Sequence, residues 1–269
     1  MCDEEARQRE LEHHEALYSG FAQQHFAKPA VRAFRAHLVK RILRRTGVAA
    51  GARVLSLGCG IGDTELLLAP AVGRIVGVDF SPKAIRQARE DAARAGIANA
   101  EFLEGDPEAI PFGAGSFEAV LAIFFLHHLS DEQLQRVAVR VLQWLAPGGV
   151  FYSLDPSRWR LSGAVGRLLV PNLMKKYQTA DERELEPEEL RELFAARGFA
   201  TQVRMYDFLS TPLAGLFPGA RRFYRVARLL DEVLVRTPLL ARWSSNFELT
   251  ARRAGSQQSV SGTIGLSSK

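Results

Sequence analysis

The chain has 269 residues, 47% of them hydrophobic and 24% charged, with a net charge of +5; this composition is typical of a globular protein and argues against disorder. No apolar run approaches the roughly 20 residues of a membrane span, and the acidic start MCDEEARQRE argues against a secretory signal. The only two cysteines, Cys2 and Cys59, exclude a disulfide framework or a structural zinc site and predict a reducing, cytoplasmic setting.

Helical patterning dominates the N-terminal region, residues 1–50. Val31, Phe34, Leu38 and Ile42 recur along one face of a helix. The sequence therefore predicts a mostly helical segment with one apolar stripe.

Short apolar runs alternate with helical patterns through the middle of the chain. The helix after the second run is clearly marked, because Ser81 can cap it, Pro82 suits its first position and Gly96 ends it. Such alternation predicts βαβ units around a parallel sheet. The predicted strands are 53–58, 74–79, 100–106, 117–125 and 150–155, and the predicted helices are 64–69, 81–96 and 131–145.

The last third of the chain adds a predicted helix at 187–197 and predicted strands near 201–208 and 244–251. A basic, Pro-punctuated helical insertion at 212–242 separates these two strands, and residues 254–269 are predicted to be disordered. The fold class predicted is therefore α/β: a doubly wound, Rossmann-like sheet of seven mostly parallel strands, with the last strand antiparallel.

A glycine-rich loop follows the first predicted strand. Gly58, Gly60 and Gly62 have no side chains, so a ligand can approach the backbone there. Asp79 ends the next strand 17 residues after Gly62, where a carboxylate can accept hydrogen bonds from both hydroxyls of a ribose. A tight turn without a ligand is the alternative, but the spacing favours an adenosine-type cofactor.

Four motifs in order give the sequence a family resemblance. The loop has the form GxGxG, with Asp63 where an NAD-binding loop usually has its last glycine. It is followed by Asp79, the Gly105-Asp106-Pro107 turn, the segment FEAVLAIFFLHHL and the segment WLAPGGV. This arrangement resembles the class I S-adenosylmethionine-dependent methyltransferases, and more narrowly their "type 11" branch, which includes small-molecule methyltransferases.

The resemblance implies an activity and a domain organisation. S-adenosyl-L-methionine would be the cofactor, and its methyl group would pass by in-line displacement to an O, N, S or C nucleophile of a small molecule. Residues 51–253 would form the methyltransferase domain, residues 1–50 a helical lid over the cofactor, and residues 212–242 a helical cap insertion.

The same resemblance implies the residues of the cofactor site. They are Tyr18 in the lid, Gly58, Cys59, Gly60 and Gly62 at the methionine moiety, Asp79 at the ribose, Phe80 and Asp106 at the adenine, Pro107 in the adenine turn, and Ile123 and Phe124 along the path to the substrate. One position departs from the family. Ser56 stands two residues before the first glycine, where an acidic residue commonly helps to hold the amino end of the cofactor.

Three residues after the fourth and fifth strands are candidates for catalysis. His127 or His128 could take a proton from a nucleophile near neutral pH, or both could be structural residues that cap the strand. Asp155 could orient an amine or hydroxyl substrate, or belong to a strand-end turn with Pro156. The histidines show no metal-ligand spacing, so no metal site is predicted.

The basic excess lies outside the predicted core. Residues 51–150 carry 8 basic and 12 acidic side chains, whereas Lys28–Arg53 contains eight basic residues and no acid. Four arginines between Arg221 and Arg228 accompany an apolar helical pattern. The apolar faces of these helices could lie on the core with the basic faces in solvent, or the helices could meet an anionic or lipid-like substrate or a membrane surface. Nucleic-acid binding is the least favoured alternative.

Two rival functions share the predicted sheet. A nucleotide-dependent oxidoreductase is disfavoured by the GxGxG loop and the PGG turn. A non-catalytic cofactor-binding protein is the other rival, and Ser56 is the residue that favours it. The sequence does not predict an oligomeric state or the identity of the methyl acceptor.

Overall fold

The computed structural model describes residues 25, 27–163, 168 and 183–255 of the chain. Its strands are β1 (Arg53–Leu57), β2 (Arg74–Asp79), β3 (Ala100–Glu104), β4 (Phe117–Ile123), β5 (Leu145–Pro156), β6 (Phe199–Asp207) and β7 (Asn246–Arg253). Its helices are α1 (Pro29–Thr46), α2 (Asp63–Leu68), α3 (Pro82–Ala95), α4 (Asp131–Trp144), α5 (Pro187–Ala195), α6 (Ser210–Leu216), α7 (Arg221–Leu234) and α8 (Pro238–Ala241). No helix within these residues has the length and apolar character needed to cross a membrane.

The seven strands form one sheet in the order β3-β2-β1-β4-β5-β7-β6. Strands β1 to β5 pair in parallel, and β7 is antiparallel to both of its neighbours. The predicted fold class is confirmed, including the antiparallel last strand. Because the strand order reverses between β1 and β4, the carboxyl ends of these two strands flank the crevice where such sheets bind ligands.

The sheet is covered on both faces, as a doubly wound fold requires. Successive residues of β4 alternate between two apolar clusters, one beneath α4 and α5 with Trp144 and Phe194, the other beneath α1 with Phe34 and Leu38. This double burial explains why β4 reads as a nearly continuous apolar run.

Helix ends follow the predicted capping residues. The Ser81 hydroxyl accepts the Ala84 N–H (3.2 Å), and α3 ends at Gly96, whose φ of 66° is in the left-handed region. Ser130 and Gln133 form a reciprocal capping box at the start of α4. Local sequence therefore sets the limits of these two helices.

Strand β5 begins five residues before its predicted start. Leu145 already pairs with Phe117, and the register then shifts before Val150 pairs with Ala119. The intervening Pro147-Gly148-Gly149 segment forms the irregularity, because Gly148 adopts a φ of 78°. The predicted helix stop at this segment was placed correctly, since α4 ends at Trp144.

Helix α1 is fixed to the sheet by apolar and ionic contacts. All four residues of its predicted apolar stripe are buried. In addition, Arg41 and Arg45 bind the buried Glu248 of β7, with Nε–O distances of 2.6 and 2.7 Å, and the Tyr152 hydroxyl donates to the same carboxylate. The basic face of α1 is thus partly internal rather than wholly in solvent. The function of residues 1–50 as a lid stays a prediction.

Helix α7 is oriented opposite to the expected cap arrangement. Its face toward the protein carries Tyr224, Ala227, Arg228 and Asp231, all buried. Its large apolar residues, which were expected to lie on the core in that arrangement, are exposed instead. The helical periodicity was predicted correctly, and of the arrangements left open the structure excludes the one in which the apolar face lies on the core.

Candidate cofactor site at the carboxyl edge of the sheet

The glycine loop after β1 needs its glycines for both conformation and packing. Gly58, Gly60 and Gly62 have φ values of 63°, 52° and 73°, in the left-handed region that favours glycine. A Cβ on Gly58 would lie 2.3 Å from Cδ2 of Phe125, and one on Gly62 would lie 2.7 Å from the ring of Phe102. A side chain of β3 and one from the turn after β4 thus occupy the space that the glycines leave.

Asp79 connects the loops that follow β1, β2 and β3. Its Oδ2 accepts the Gly60 N–H (2.8 Å), its Oδ1 accepts the Ser81 N–H (2.9 Å), and its backbone carbonyl accepts the Gly105 N–H (2.9 Å). A carboxylate oxygen can accept more than one hydrogen bond, so both oxygens have capacity for ligand hydroxyls. Ser81 supplies the cap of α3, as predicted, so Asp79 is not needed for that function.

Cys59 contributes packing through its side chain. The thiol is buried in a cluster with Ile85, Ala88 and Phe102, and burial raises its pKa well above the ordinary value. A buried thiol of raised pKa is a poor nucleophile, as expected from its place inside the glycine loop. Because the thiol is buried, only the backbone of Cys59 can contact a ligand bound at the glycine loop.

The predicted adenine residues follow the adjacent strands β2 and β3. Asp106 accepts the Glu108 N–H through Oδ1 (2.8 Å), and Pro107 is buried in the same turn. Phe80 follows Asp79 directly and is partly exposed. Since parallel neighbours end at the same edge, these residues lie at the edge that carries the glycine loop.

The end of β4 is conformationally strained. Phe124 has a φ of 53°, the one positive φ of a non-glycine residue in the described ranges, and its N–H donates to the Leu154 carbonyl (2.8 Å). Such a conformation costs about 1–2 kcal/mol and is common at functional sites. The Phe124 ring contacts Phe34 of α1 at 6.1 Å between centroids, whereas Ile123 is buried in the sheet.

The three catalytic candidates lie together. His127 Nδ1 is 3.0 Å from Asp155 Oδ1, which also accepts the backbone N–H of Leu126 (3.1 Å), and the rings of His127 and His128 are 4.0 Å apart. Burial raises the pKa of Asp155 to about 7, and its Oδ2 is buried without a hydrogen-bond partner. Asp155 therefore both holds the turn after β4 and orients an imidazole. This geometry combines the structural and the chemical interpretations of these residues.

A buried carboxylate beneath the glycine loop was missed at the sequence level. Glu65 of α2 is 2% exposed, and its Oε1 accepts the Ser56 hydroxyl at 2.6 Å. Its Oε2 is buried with no hydrogen-bond partner, and burial raises its pKa to about 7. Ser56 was the signal that could have revealed it. Since the family commonly has an acid at this position, its absence indicates that another carboxylate near the loop has the same function.

The charges around the loop favour a cationic ligand. Asp79 and Glu65 are buried there, while the neighbouring Asp63 is paired with Arg35 at 2.6 Å. A dinucleotide would bring two negative phosphates toward these carboxylates, whereas S-adenosylmethionine brings an ammonium and a sulfonium. The buried carboxylates of this site therefore fit S-adenosylmethionine better than a dinucleotide.

One residue of the predicted cofactor site, Tyr18, lies outside the described residues. Its contact with the cofactor stays a prediction. Across the described ranges, no group of three or more His, Cys, Asp or Glu side chains is arranged to hold a metal ion.

The fold and this edge define an α/β protein that binds a nucleoside cofactor, and comparisons with known proteins specify the class. The family described as "Methyltransferase domain" matches residues 54–149. A demethylmenaquinone methyltransferase of Deinococcus radiodurans is 32% identical over 189 residues, which cover 63% of this chain and 76% of that protein.

Two further comparisons agree. A Synechocystis protein named uncharacterized methyltransferase sll0829 is 35% identical over 120 residues, or 44% of this chain, and the chain spans 54% of that relative's length. The solved structure of YcgJ from Bacillus subtilis superposes with a TM-score of 0.54 at 23% identity, covering 81% of this chain and 98% of that one, and so shares the fold. The chain belongs to the class I S-adenosylmethionine-dependent methyltransferases, in the type 11 branch, and S-adenosylmethionine is its cofactor.

Proposed function

We propose that the chain transfers the methyl group of S-adenosylmethionine to a nucleophile of a small molecule. The observation that carries this proposal is the pair of buried carboxylates at the glycine loop, Asp79 and Glu65, which suits a cationic nucleoside ligand. S-adenosylmethionine supplies an activated methyl group on a sulfonium, so the protein's task is to position the nucleophile and, where needed, remove its proton.

Asp79 and Asp106 hold the nucleoside end in this proposal. Asp79 offers an acceptor lone pair on each oxygen to the ribose hydroxyls, and its existing bonds to Gly60 and Ser81 fix its orientation. Asp106 receives the adenine amino group, with Phe80 beside the ring. The backbone of the glycine loop lies against the methionine moiety.

Glu65 replaces the acid that the family commonly has at position 56. Its Oε1 is held by the Ser56 hydroxyl, and its unpartnered Oε2 receives the ammonium of the cofactor. A charge-assisted hydrogen bond of this kind contributes about 1.5–3 kcal/mol. The carboxylate is thus supplied from α2 instead of β1.

His127 removes a proton from acceptors that require it. Asp155 orients the imidazole through Nδ1, so the proton is transferred at Nε2 in this proposal. Positioning alone can contribute about 7–11 kcal/mol toward the barrier, so acceptors that are already deprotonated need no base. The position of Ile123 and Phe124 at the end of β4 supports a place for them between cofactor and acceptor.

Calorimetry with S-adenosylhomocysteine and NAD tests the cofactor assignment. We expect binding of the first and none of the second; the opposite result would support the oxidoreductase alternative.

A methylation screen with labelled S-adenosylmethionine then tests catalysis. Lipophilic phenols belong in the acceptor panel because several relatives are named demethylmenaquinone methyltransferases. Cofactor binding without product across a broad panel would favour a non-catalytic protein.

A further inference from the structure

Helix α7 packs on the protein through polar contacts. The Asp231 carboxylate accepts the backbone N–H groups of Phe208, Leu209 and Ser210, at 2.9–3.0 Å, and so caps the start of α6. Arg228 donates to the Tyr206 carbonyl (3.0 Å). Together with the ring of Tyr224, which is buried in the apolar cluster beneath α1, these contacts attach the helix and leave five of its large apolar side chains exposed.

Those apolar side chains form one exposed face. At 100° per residue they fall within a sector of about 120°, on the side of the helix opposite the packed one. Each is between 51% and 68% exposed. This α7 apolar face consists of Phe223, Val226, Leu229, Leu230 and Val233.

An arrangement of this kind is unusual for a surface helix. The apolar stripe of an amphipathic helix normally faces the core, and single exposed apolar residues are common, but five adjacent ones mark an interaction site. The ring of Phe217 extends the face, since it contacts Phe223 in an edge-to-face geometry at 6.5 Å. Its own ring is also half exposed.

The charges bordering this face are basic. Residues 212–242 contain six arginines, no lysine and two acidic residues. Arg221, Arg222 and Arg225 are exposed and form no ion pair with the described residues. Three arginines of α1 differ in this respect, because Arg35, Arg41 and Arg45 are all paired with acids. Long arginine side chains beside an apolar face can reach lipid phosphates while the apolar residues enter the bilayer surface.

We propose that the α7 apolar face and its three exposed arginines bind the surface of a membrane that contains anionic lipids. A second copy of the chain is a poorer occupant, because α7 has three exposed arginines and offers them one exposed acidic side chain, Glu232. A nucleic acid would leave the five apolar residues uncovered. The inference does not depend on the methyl acceptor, and its test requires no turnover.

Vesicle co-sedimentation of the full-length protein tests the proposal. Wild type should sediment with vesicles of phosphatidylcholine and phosphatidylglycerol but not with phosphatidylcholine alone. The double variant Leu229→Gln/Val233→Gln should bind at least about tenfold more weakly, because it removes apolar area that enters the bilayer. Val139→Gln on α4 is the matched control: Val139 is also exposed, and its variant should bind like wild type.

A charge variant tests the anionic part separately. Arg221→Gln/Arg225→Gln should weaken binding to the mixed vesicles by about fivefold per arginine, whereas Arg86→Gln on α3 should have no effect. Both pairs of substitutions are at exposed positions, so circular dichroism and melting curves should remain those of wild type.

Three results would overturn the proposal. Wild type would fail to bind the mixed vesicles, or would bind phosphatidylcholine equally well. Alternatively, sedimentation velocity would show a wild-type dimer that Leu229→Gln/Val233→Gln converts to a monomer, which would assign the face to a second copy.

Discussion

The carboxylate of Glu65 has opposite consequences for the cofactor-free protein and for its cofactor complex. Without a ligand, one of its oxygens is buried and unpartnered, so ionisation is costly in the fold. With the ammonium of the cofactor beside it, the same charge is compensated. Residues kept for ligand binding at the expense of stability behave in this way.

Glu65→Gln should stabilise the cofactor-free protein at high pH. Because the pKa of Glu65 is raised from 4.5 to about 7 in the fold, the folded state binds more protons than the unfolded state between these values. Stability therefore falls as pH rises through this window, and the loss, up to about 3 kcal/mol, is complete above pH 7. Urea denaturation at pH 8 should show the gain, and it should be nearly absent at about pH 4.5, where the carboxyl is protonated in the folded state and half protonated in the unfolded state.

Two neighbouring charges act on the ionisation of Glu65 in that pH window. Asp63 opposes the ionisation of Glu65, and Arg35 favours it. The pKa of Asp155 is also raised to about 7, but it is present in both proteins and cancels in the comparison. Equal stability of variant and wild type at pH 8 would contradict the burial of an ionised Glu65.

The same variant should lose affinity only for ligands that carry the amino acid end. We expect Glu65→Gln to bind S-adenosylhomocysteine about ten- to a hundredfold more weakly and 5′-methylthioadenosine, which lacks the ammonium, as wild type does. Moving the carboxylate back to β1 with Ser56→Asp/Glu65→Ala should recover most of the loss. Calorimetry of the wild type and the two variants measures these affinities. An equal loss of affinity for both ligands would indicate a disturbed glycine loop.

Asp79→Asn should weaken binding of S-adenosylhomocysteine at least tenfold. The amide would place its NH₂ group against the N–H of either Gly60 or Ser81, so the variant should also lose about 1–3 kcal/mol of stability. Glu104→Gln, at an exposed position on the adjacent strand, is the control. An unchanged dissociation constant for Asp79→Asn would remove Asp79 from the ribose site.

At the scale of elements, α1 and β7 are joined by charges that are far apart in sequence. Arg41, Arg45 and Tyr152 all converge on Glu248. A lid motion that displaced α1 would have to break this cluster. The core of the sheet and the position of α1 are thus coupled.

Glu248→Gln should destabilise the protein by about 3–5 kcal/mol, because it leaves two partly buried arginines without their anion. Glu118→Gln breaks the exposed pair with Arg53 and should cost less than about 1 kcal/mol. Urea denaturation of both variants provides the comparison. Similar small effects would show that α1 contributes little to the stability of the sheet.

Local sequence patterns predicted the elements better than the contacts between them. Strand apolarity, Ser81 and Gly96 depend on neighbours along the chain, so the positions of the strands and the ends of the helices could be anticipated. The Arg41–Glu248 contact joins residues 207 positions apart, and periodicity alone cannot show which side of α7 packs. Glu65 was missed because, in the sequence of a short helix, a buried glutamate cannot be distinguished from an exposed one.

For the molecule as a whole, charge is divided between two kinds of surface. Asp79 and Glu65 near the glycine loop are buried, whereas Arg221, Arg222 and Arg225 of α7 are exposed. The net charge of +5 therefore conceals a cation-binding interior and a basic exterior patch. These two features should respond differently to salt.

Raising ionic strength should release the protein from mixed vesicles but leave cofactor affinity nearly unchanged. Exposed charges are screened within a Debye length of about 8 Å at physiological salt, and buried ones much less. Co-sedimentation and calorimetry over one salt series measure both on the same preparation. A parallel decline of the two would indicate that the cofactor site is open to solvent.

The contact between Gly58 and Phe125 has an evolutionary consequence. Because the ring fills the space of the missing Cβ, a methyl group at position 58 is tolerated only if position 125 becomes smaller at the same time. We expect these two positions to vary together among relatives. A double-mutant cycle with Gly58→Ala and Phe125→Ala would separate this steric coupling from the strain of the left-handed backbone, which the second substitution cannot relieve.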